Sequence, residues 1–499
     1  MHESAQTTIR LRVRQGACSA VRALVLATLF VVAPWVDRLA LAEPPSDAQT
    51  DVDDPLDLTK KPDLALRLPG DPDTWIRPTY RTDYAIFFER NAWAGNSKTI
   101  LGDHVDHWGE VGIVPGLEGQ LSLGEPGKLR ARVSGVYTDT MFGLDAAGSN
   151  CHPGSKCHPN KFTLEDAYVG WSSGKLIPAL GEDAIDLSVG SQPYQVGTGV
   201  GTGFLFYDGG TDGGKRGGYW LGMRRAFRFT GIARLKTGPL LAEGMFLRPY
   251  DDPNTSTKVA GMNLEYSFGD RGRLGGGYWN VLNSNDKRRD GLNVYDLRGE
   301  VHPLESLLGL GFSGDIVRER NGRENNSWGG FASVFYDFKE SVRFSPYVEY
   351  RYAAFQGDDG TGNNRSFDPL FYGFSDWNQW YLGEIVGEYV ATNRNLSVNL
   401  IHLRANPISP VTLHFFYLHF HLNEFSNELT SRPPSNPRAS QIENKKLADE
   451  LDFIVDWSAT DYLSFSGVAA FLVPSSGAKD FFGASGTWSD FMLYTSLKF

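Results

Sequence analysis

Apolar and polar residues alternate along much of the chain from Tyr80 onward, in segments of about ten residues that turn residues separate. A period of two places successive side chains on opposite faces of a strand. The two faces are clearly separated in Gly261–Phe268, Val294–Val301, Leu308–Ile316, Leu451–Trp457, Leu463–Val473 and Asp490–Phe499. The pattern therefore predicts an all-β protein.

The lengths of the connections distinguish a membrane barrel from a soluble sandwich. Short connectors are 124–127, 237–239, 269–272, 303–305 and 460–461, and long ones are 142–160, 197–217, 356–379 and 423–446. Such alternation is typical of transmembrane barrels, with short periplasmic turns and long external loops. The pattern gives nineteen strands, but a barrel with both ends on one side needs an even number. We therefore expect an antiparallel up-and-down barrel of about 18 strands, or 20, with the ambiguity in 218–236 and 379–404.

The N-terminal region indicates export. Four arginines, at positions 10, 12, 14 and 22, precede the apolar run 23–36, and Ala40-Leu41-Ala42 follows. This arrangement predicts a signal peptide over 1–42. Residues 43–79 are rich in Asp and Pro and predict an extended periplasmic segment. We assign 80–499 to the barrel and expect it in the bacterial outer membrane.

Composition and charge narrow the choice of partners. Aromatic residues make up 13% of the chain and Gly numbers 56, which suits barrel strands with aromatic girdles. Removing residues 1–42 takes away five arginines and two acids, a net charge of +3, so the formal charge moves from −11 to −14. This acidity excludes nucleic acid as the expected partner.

Two cysteines remain after processing, in the stretch CHPGSKCH. Cys151 and Cys157 are separated by five residues, which in an exported protein favours a small disulfide loop. A Cys/His metal site with His152 and His158 is the alternative, although the spacing is not the CxxC of common zinc sites. We expect no metal and no cofactor.

Charged side chains on the polar faces would line the lumen. The basic ones are Arg130, Arg132, Arg224, Arg228, Arg298 and Arg351, and the acidic ones are Glu265, Asp296, Glu300, Asp315, Glu349, Glu384 and Glu388. Arginines at a constriction can bind carboxylates bidentately and favour anions. The alternative is that these residues form ordinary cross-strand ion pairs.

Two turn-rich passages are further candidates. In Val189–Gly210 (VGSQPYQVGTGVGTGFLFYDGG) the glycines are not followed by a helical pattern, so we expect a loop in or over the pore rather than a phosphate site. Ser366–Tyr389 (SFDPLFYGFSDWNQWYLGEIVGEY) contains Asp368, Trp377 and Trp380. Such residues at a pore mouth suit sugar rings, and an interfacial aromatic belt is the alternative.

These two passages, together with the terminal strand, resemble the alginate export family of outer-membrane proteins. The resemblance implies a monomeric barrel of eighteen strands, occluding loops and an arginine-lined constriction that includes Arg224, Arg228 and Arg351. It also implies facilitated diffusion of an anionic uronate polysaccharide, with periplasmic polysaccharide-export proteins as further partners. Ser191 stands where a basic residue often precedes the glutamine of the QPYQ-like motif. Phe499 would be read by the barrel assembly machinery, and outer-membrane lipid would surround the barrel.

Three other functions are alternatives to polysaccharide export. The first is a substrate-selective porin that imports small sugars or anions. The second is an outer-membrane hydrolase, for which His414, His419 and His421 could supply a general base. Their alternation places His414 on the face opposite the other two, so they do not converge. The third is a soluble periplasmic binding protein. The sequence predicts a channel rather than an enzyme.

Overall fold

The structure is a computed structural model, and its strands account for most of the chain that it describes. The described residues are 64–93, 105–142, 159–196, 217–250, 255–322, 325–339, 342–362, 365–371, 377, 381–425, 443–484 and 486–499. The strands are β1 (Leu66–Leu68), β2 (Asp71–Arg90), β3 (Val105–Ser122), β4 (Lys128–Met141), β5 (Asn160–Ser172), β6 (Ile185–Gln192), β7 (Phe227–Thr237), β8 (Leu240–Arg248), β9 (Lys258–Ser267), β10 (Gly272–Asn283), β11 (Asn293–Val301), β12 (Leu310–Asn321), β13 (Asn325–Asp337), β14 (Tyr347–Phe355), β15 (Leu396–Ile408), β16 (Val411–Leu422), β17 (Lys446–Ser458), β18 (Leu463–Pro474) and β19 (Trp488–Lys498).

Strands β2 to β19 form one closed antiparallel barrel. Each pairs with the next along the chain, and β19 returns to pair with β2. The short β1 pairs with β2 as a hairpin. The barrel therefore has eighteen strands, which confirms the predicted fold class.

The nineteen-strand pattern counted one strand too many. In the ambiguous stretch 379–404, only the part from Leu396 onward is a strand, and a π-helix at Val386–Val390 precedes it. Apolar residues in this stretch alternate well enough to resemble a strand, but they pack inside the barrel. The other helical elements in the described ranges are 3₁₀ turns at Gly269–Arg271 and Glu305–Leu307 and the helix α1 (Ser476–Phe482).

The apolar faces of the strands point outward. On β9 and β11 the outward Met262, Leu264 and Leu297 are 54–64% exposed. On the last strand Phe491 and Leu493 are exposed, whereas Asp490 and Met492 on the other face are buried. A belt of exposed apolar side chains around a closed sheet is the surface that such a barrel presents to lipid.

The two ends of the barrel differ. The short turns predicted at 124–127, 237–239, 269–272, 303–305 and 460–461 all lie at the end where β2 begins and β19 ends. The long connections join strands at the opposite end, which we call the loop end. No helix in the described ranges is long and apolar enough to cross a membrane.

The first barrel strand starts earlier than the sequence pattern indicates. Strand β2 begins at Asp71, so the predicted boundary between 79 and 80 falls inside it. Pro72 and Pro78 made this stretch look irregular, because proline cannot donate to a strand ladder. The signal peptide and residues 43–63 lie outside the described residues.

A charge on the outward face should destabilise the barrel in proportion to its depth. Leu297 is at the centre of β11 and is 64% exposed. We expect Leu297→Arg to lower the free energy of unfolding in lipid vesicles by about 2–4 kcal/mol. Leu304→Arg, in the turn after β11, is the control and should lower it by about 0–1 kcal/mol. Equal losses in urea titrations would show that Leu297 does not face the bilayer centre.

Candidate functional site

Residues 217–226 leave the loop end and turn into the barrel. The backbone N–H groups of Tyr219, Trp220 and Leu221 all donate to the Glu110 carboxylate, at 2.9 Å from Trp220 and 3.0 Å from Leu221. Glu110 is fully buried on the inner face of β3. Several hydrogen bonds stabilise a carboxylate that would be costly to bury alone. Glu110 therefore holds this segment against the inner wall.

The wall beneath this segment is shaped to receive it. Gly112 is on the same face of β3 as Glu110, and a Cβ atom there would lie 2.4 Å from Cγ of Met223. Met223 is only 5% exposed. Glycine at this position thus makes room for the inward segment.

Residues 381–395 form a second inward segment before β15. The backbone N–H groups of Ile385 and Val386 donate to Glu450 on β17, at 2.6 and 3.0 Å. Gly383 has a φ of +91°, and a Cβ there would lie 2.7 Å from Oε2 of Glu450. Both the backbone conformation and the close approach require glycine.

The two inward segments contact each other. The indole Nε1 of Trp220 donates to Oε1 of Glu384 at 2.9 Å, and the hydroxyl of Tyr219 donates to the backbone oxygen of Glu388 at 2.7 Å. The rings of Tyr219 and Tyr389 are 6.3 Å apart. We call residues 217–226 and 381–395 together the inner barrier, because they narrow the lumen as one packed unit.

The inner barrier is tightly packed on its β14–β15 side. Tyr381 and Leu382 lie against Arg351, Val398 and Leu400, and the crevice between them has no space for a water molecule. All three aliphatic side chains are at most 2% exposed. This contact therefore excludes water and is mainly apolar.

A further inward stretch, 365–371, is held in the same way. Glu319 on β12 accepts the backbone N–H of Asp368 at 2.9 Å, and Arg289 contacts both carboxylate oxygens of Asp368 at 2.5 and 2.8 Å. Burial opposes ionisation of Asp368, but the Arg289 guanidinium outweighs it and holds the pKa of this carboxyl below its ordinary value. Glu165 on β5 likewise accepts the N–H groups of residues 225 and 226, both at 2.8 Å.

Four wall glutamates therefore act as tethers for inward backbone. We call Glu110, Glu165, Glu319 and Glu450 the wall glutamates. Each accepts one to three backbone N–H groups from a segment inside the barrel. None of these four residues is among the candidates predicted from the sequence. Each occupies a position that the alternation along its strand assigns to the inner face. Nothing in the sequence, however, indicates which backbone N–H groups it binds.

Arginines on the inner wall form two separate networks of ion pairs. In the first, Arg77 and Arg132 share Glu118, and Arg132 also contacts Asp166 at 3.0 Å. Nearby, Arg130 pairs with Asp186. The carboxylates thus neutralise the arginines one for one in this part of the wall.

The second network lies on β7 to β11. Arg234 contacts Glu243 at 2.7 Å, Asn263 links Glu243 to Arg298, and Arg298 contacts Glu265 at 2.6 Å. Arg298 also pairs with Asp296. Acids outnumber arginines here, so a uniform ring of positive charge is not present in this network.

Exposure separates the arginines that a solute could reach from those it could not. The side chains of Arg77, Arg132 and Arg234 are 22%, 25% and 20% exposed, whereas those of Arg130 and Arg298 are 3% exposed. Arg77 is not among the residues predicted to line the lumen, because it lies in the predicted periplasmic extension. Arg234 is not among them either, although continuing the alternation from Arg228 predicts an inward side chain at this position.

Arg224 and Arg228 do not share one strand face. Strand β7 begins at Phe227, so Arg224 belongs to the inner barrier, where it is 5% exposed and donates to the Gly217 oxygen at 3.2 Å and to Thr138. Arg228 is exposed, with its guanidinium 5.8 Å from the Tyr250 ring. The expected strand was too long because the alternation continues through the inward segment.

Arg351 and Glu349 lie on the inner face of β14, 2.9 Å apart. Glu349 is 3.8 Å from His402, whose Nε2 is 3.0 Å from Nδ1 of His414. His414 is buried on the inner wall, whereas His419 is on the outward face, where it contacts Asp449. The histidines are therefore separated by the sheet.

The remaining candidate residues are distributed as follows. Trp377 is 7% exposed, and its Nε1 donates to Asp456 at 2.5 Å, so it packs against the inner wall. Glu384 and Glu388 belong to the inner barrier. Trp380, Cys151 and Cys157 lie outside the described residues. In the described ranges, no three His, Cys, Asp or Glu side chains are arranged to hold a metal ion.

Glu384 is a titratable residue inside the inner barrier. It is fully buried, and burial raises its pKa to about 8, with the negative charge of Asp452 adding to the shift and the hydrogen bond from Trp220 opposing it. The side chain therefore holds a proton at neutral pH. Loss of that proton would place a charge beside the acids of β17.

We expect Glu110→Gln to loosen residues 217–226. The amide oxygen replaces only part of the carboxylate's accepting capacity, and the amide NH₂ faces backbone donors. The segment should lose about 1–3 kcal/mol of local stability. Single-channel conductance and amide hydrogen exchange at 217–226 should both rise. Glu182→Gln, at an exposed turn, is the control and should change neither; unchanged exchange in E110Q would contradict the tether.

The inner barrier should open as the pH rises. Because the pKa of Glu384 is higher in the folded segment than in free chain, its stabilising effect is complete below about pH 4.5 and is lost as pH rises through about 8. Channel conductance should therefore increase between about pH 5 and 8 and level off above pH 8. Glu384→Gln should flatten this dependence, and a similar rise in E384Q would exclude Glu384 as its source.

Comparisons with known proteins identify the fold. No family model matches the chain, and no curated protein matches it in sequence. The solved outer membrane protein OpdK from Pseudomonas aeruginosa aligns with a TM-score of 0.53 at 11% identity, over 85% of this chain and 98% of that chain.

Two further solved structures align similarly. A BenF-like porin from Pseudomonas fluorescens Pf-5 has a TM-score of 0.52 at 13% identity, over 85% and 98% of the two chains. OccK2 (OpdF) from Pseudomonas aeruginosa has a TM-score of 0.50 at 13% identity, over 84% and 98%. Identities this low establish the fold alone. Together with the apolar outer belt, the shared fold confirms the predicted outer-membrane β-barrel.

Proposed function

We propose that this protein is a substrate-selective channel that admits a small organic anion through the outer membrane. The observation that carries the proposal is the set of three partly exposed arginines, Arg77, Arg132 and Arg234, on the inner wall of a barrel narrowed by inward segments. An 18-stranded barrel is wide enough for an aqueous channel. The five N–H groups of a guanidinium can serve more than one carboxylate.

The inner barrier favours a small solute. Its backbone is fixed to the wall by the wall glutamates and packs without space for water against β14 and β15. A rigid, narrow lumen suits a small solute better than a polymer chain. One structure of the neighbour OpdK was solved with vanillate, an aromatic carboxylate, at a TM-score of 0.53 and 10% identity. Such a carboxylate is the solute we propose to test.

The second candidate is export of an alginate-like polysaccharide, the function implied by the resemblance of the two loop passages. Both passages lead into inward segments, as occluding loops would require. This function also needs the inner barrier to move aside and periplasmic export proteins to deliver the polymer. Glu384 and Glu388 then belong to the inner barrier, and Asp368 to the inward stretch 365–371, rather than to a substrate site.

Vanillate uptake into proteoliposomes tests the proposal. Because Arg77 and Arg132 share Glu118, and Arg132 also contacts the buried Asp166, the balanced variant Arg77→Gln/Glu118→Gln/Arg132→Gln/Asp166→Asn removes two arginines together with both of their acidic partners. We expect its vanillate flux to fall about tenfold, the effect of losing charge-assisted hydrogen bonds, with arabinose flux unchanged. Lys479→Gln, an exposed change on α1, is the control.

The outcomes separate the two candidates. Parallel loss of vanillate and arabinose flux would mean that the variant damages the channel and that these arginines do not select anions. Block of the vanillate current by polyuronate oligomers, followed by their appearance on the other side of the bilayer, would favour polymer export instead.

A further inference from the structure

We propose that a basic patch on the outward face of the barrel, at the loop end, binds the phosphate groups of a glycolipid in the outer leaflet. The patch consists of Arg248 on β8, Lys258 on β9, and Arg318 and Arg320 on β12. This inference concerns the surface against the membrane and does not depend on which solute crosses the lumen.

The alternation along each strand places these four side chains outside. Their neighbours Leu247, Val259, Val317 and Glu319 are all fully buried and face inward. Lys258 has the same parity as the outward Met262 and Leu264, and Arg318 and Arg320 have the parity of the outward Ile316. The patch therefore lies on the same face as the apolar belt.

Two of the four cations lie next to the last registered pair of neighbouring strands. Leu247 pairs with Val259 at the end of the β8–β9 ladder, and Arg248 and Lys258 are the residues that adjoin this pair at the loop end, both on the outward face. Like charges that are close together on one face of a sheet repel. None of the four forms an ion pair within the described part of the chain; Arg318 donates to Asn326. An anion from outside the protein would relieve the repulsion.

The surroundings of the patch match the boundary between lipid tails and headgroups. Arg318 pairs in register with Tyr295 on one side and Trp328 on the other, and the rings of Tyr295 and Tyr278 are 5.3 Å apart. Tyr and Trp concentrate at this depth of a membrane. One position nearer the loop end, Arg320 pairs with Asn293 and Asn326, so the aromatic belt gives way to polar residues.

Acidic residues are missing from this surface in the described ranges. The outward positions near the loop end of β8 to β13 are 246, 248, 258, 260, 262, 278, 280, 282, 293, 295, 316, 318, 320, 326, 328 and 330, and none is Asp or Glu. The chain as a whole carries a formal charge of −11. A surface on which all the charged side chains at these positions are basic, on an acidic protein, indicates an anionic partner.

The chemistry and position of the patch favour lipid phosphate in the outer leaflet. Arginine binds phosphate through a planar fork of donors, and clustered basic residues beside a membrane attract anionic headgroups. The long loops of such barrels face outside the cell, so the loop end meets the outer leaflet. Its phosphorylated glycolipid, lipid A with its sugar extension, is the occupant we assign.

Binding of purified lipid A in detergent tests the inference. We expect the wild-type protein to bind bis-phosphorylated lipid A at least about tenfold more tightly than dephosphorylated lipid A, and Arg248→Gln/Lys258→Gln/Arg318→Gln/Arg320→Gln to lose that preference. Lys479→Gln, at the same end but on α1, should bind as the wild type does. Heat-modifiable mobility in gels checks that each variant is folded.

Three results would overturn the inference: equal affinity of the wild type for the two lipids, an unchanged preference in the quadruple variant, or equal competition by phosphatidylglycerol. If the quadruple variant does not fold, the separate pairs Arg248→Gln/Lys258→Gln and Arg318→Gln/Arg320→Gln are measured instead. Each pair should then weaken binding of phosphorylated lipid A alone.

Discussion

The segments inside the barrel depend on buried carboxylates that accept their backbone N–H groups. Strands satisfy their own backbone in the sheet, but a segment that enters the lumen leaves its donors without partners. The wall glutamates supply the missing acceptors, and the segments in turn supply the hydrogen bonds that a buried carboxylate needs. Neither partner is stable there alone, so wall and inner barrier form one structure.

The same dependence explains why the inner wall is rich in charge without carrying a uniform potential. Arginines and acids on neighbouring strands pair with each other, as Arg77 and Arg132 do around Glu118. In the function we propose, selectivity for anions comes from the few guanidiniums that keep contact with water, since exposure rather than number decides which charges a solute meets. Counting arginines on inward positions overestimates the positive surface.

The sequence alone was sufficient to predict the barrel, but it was not sufficient to predict the structure inside it. A period of two is a local property, so Met262, Leu297 and Phe491 could be assigned to the outer face from their neighbours alone. The inward segments keep a similar alternation while their contacts are with distant strands. Arg224 was therefore placed on a strand, and residues 381–395 were counted as part of one.

Closure of the barrel has a consequence for how the molecule is made. Every strand pair but one joins neighbours along the chain, and the exception joins β19 to β2, where Tyr80 and Phe499 exchange hydrogen bonds of 2.8 and 2.9 Å. Local hairpins can form as soon as their residues are available, but this contact spans almost the whole sequence. Until it forms, β2 and β19 are open edges that can pair with other chains. The slowest and most vulnerable step of folding is therefore expected at this junction.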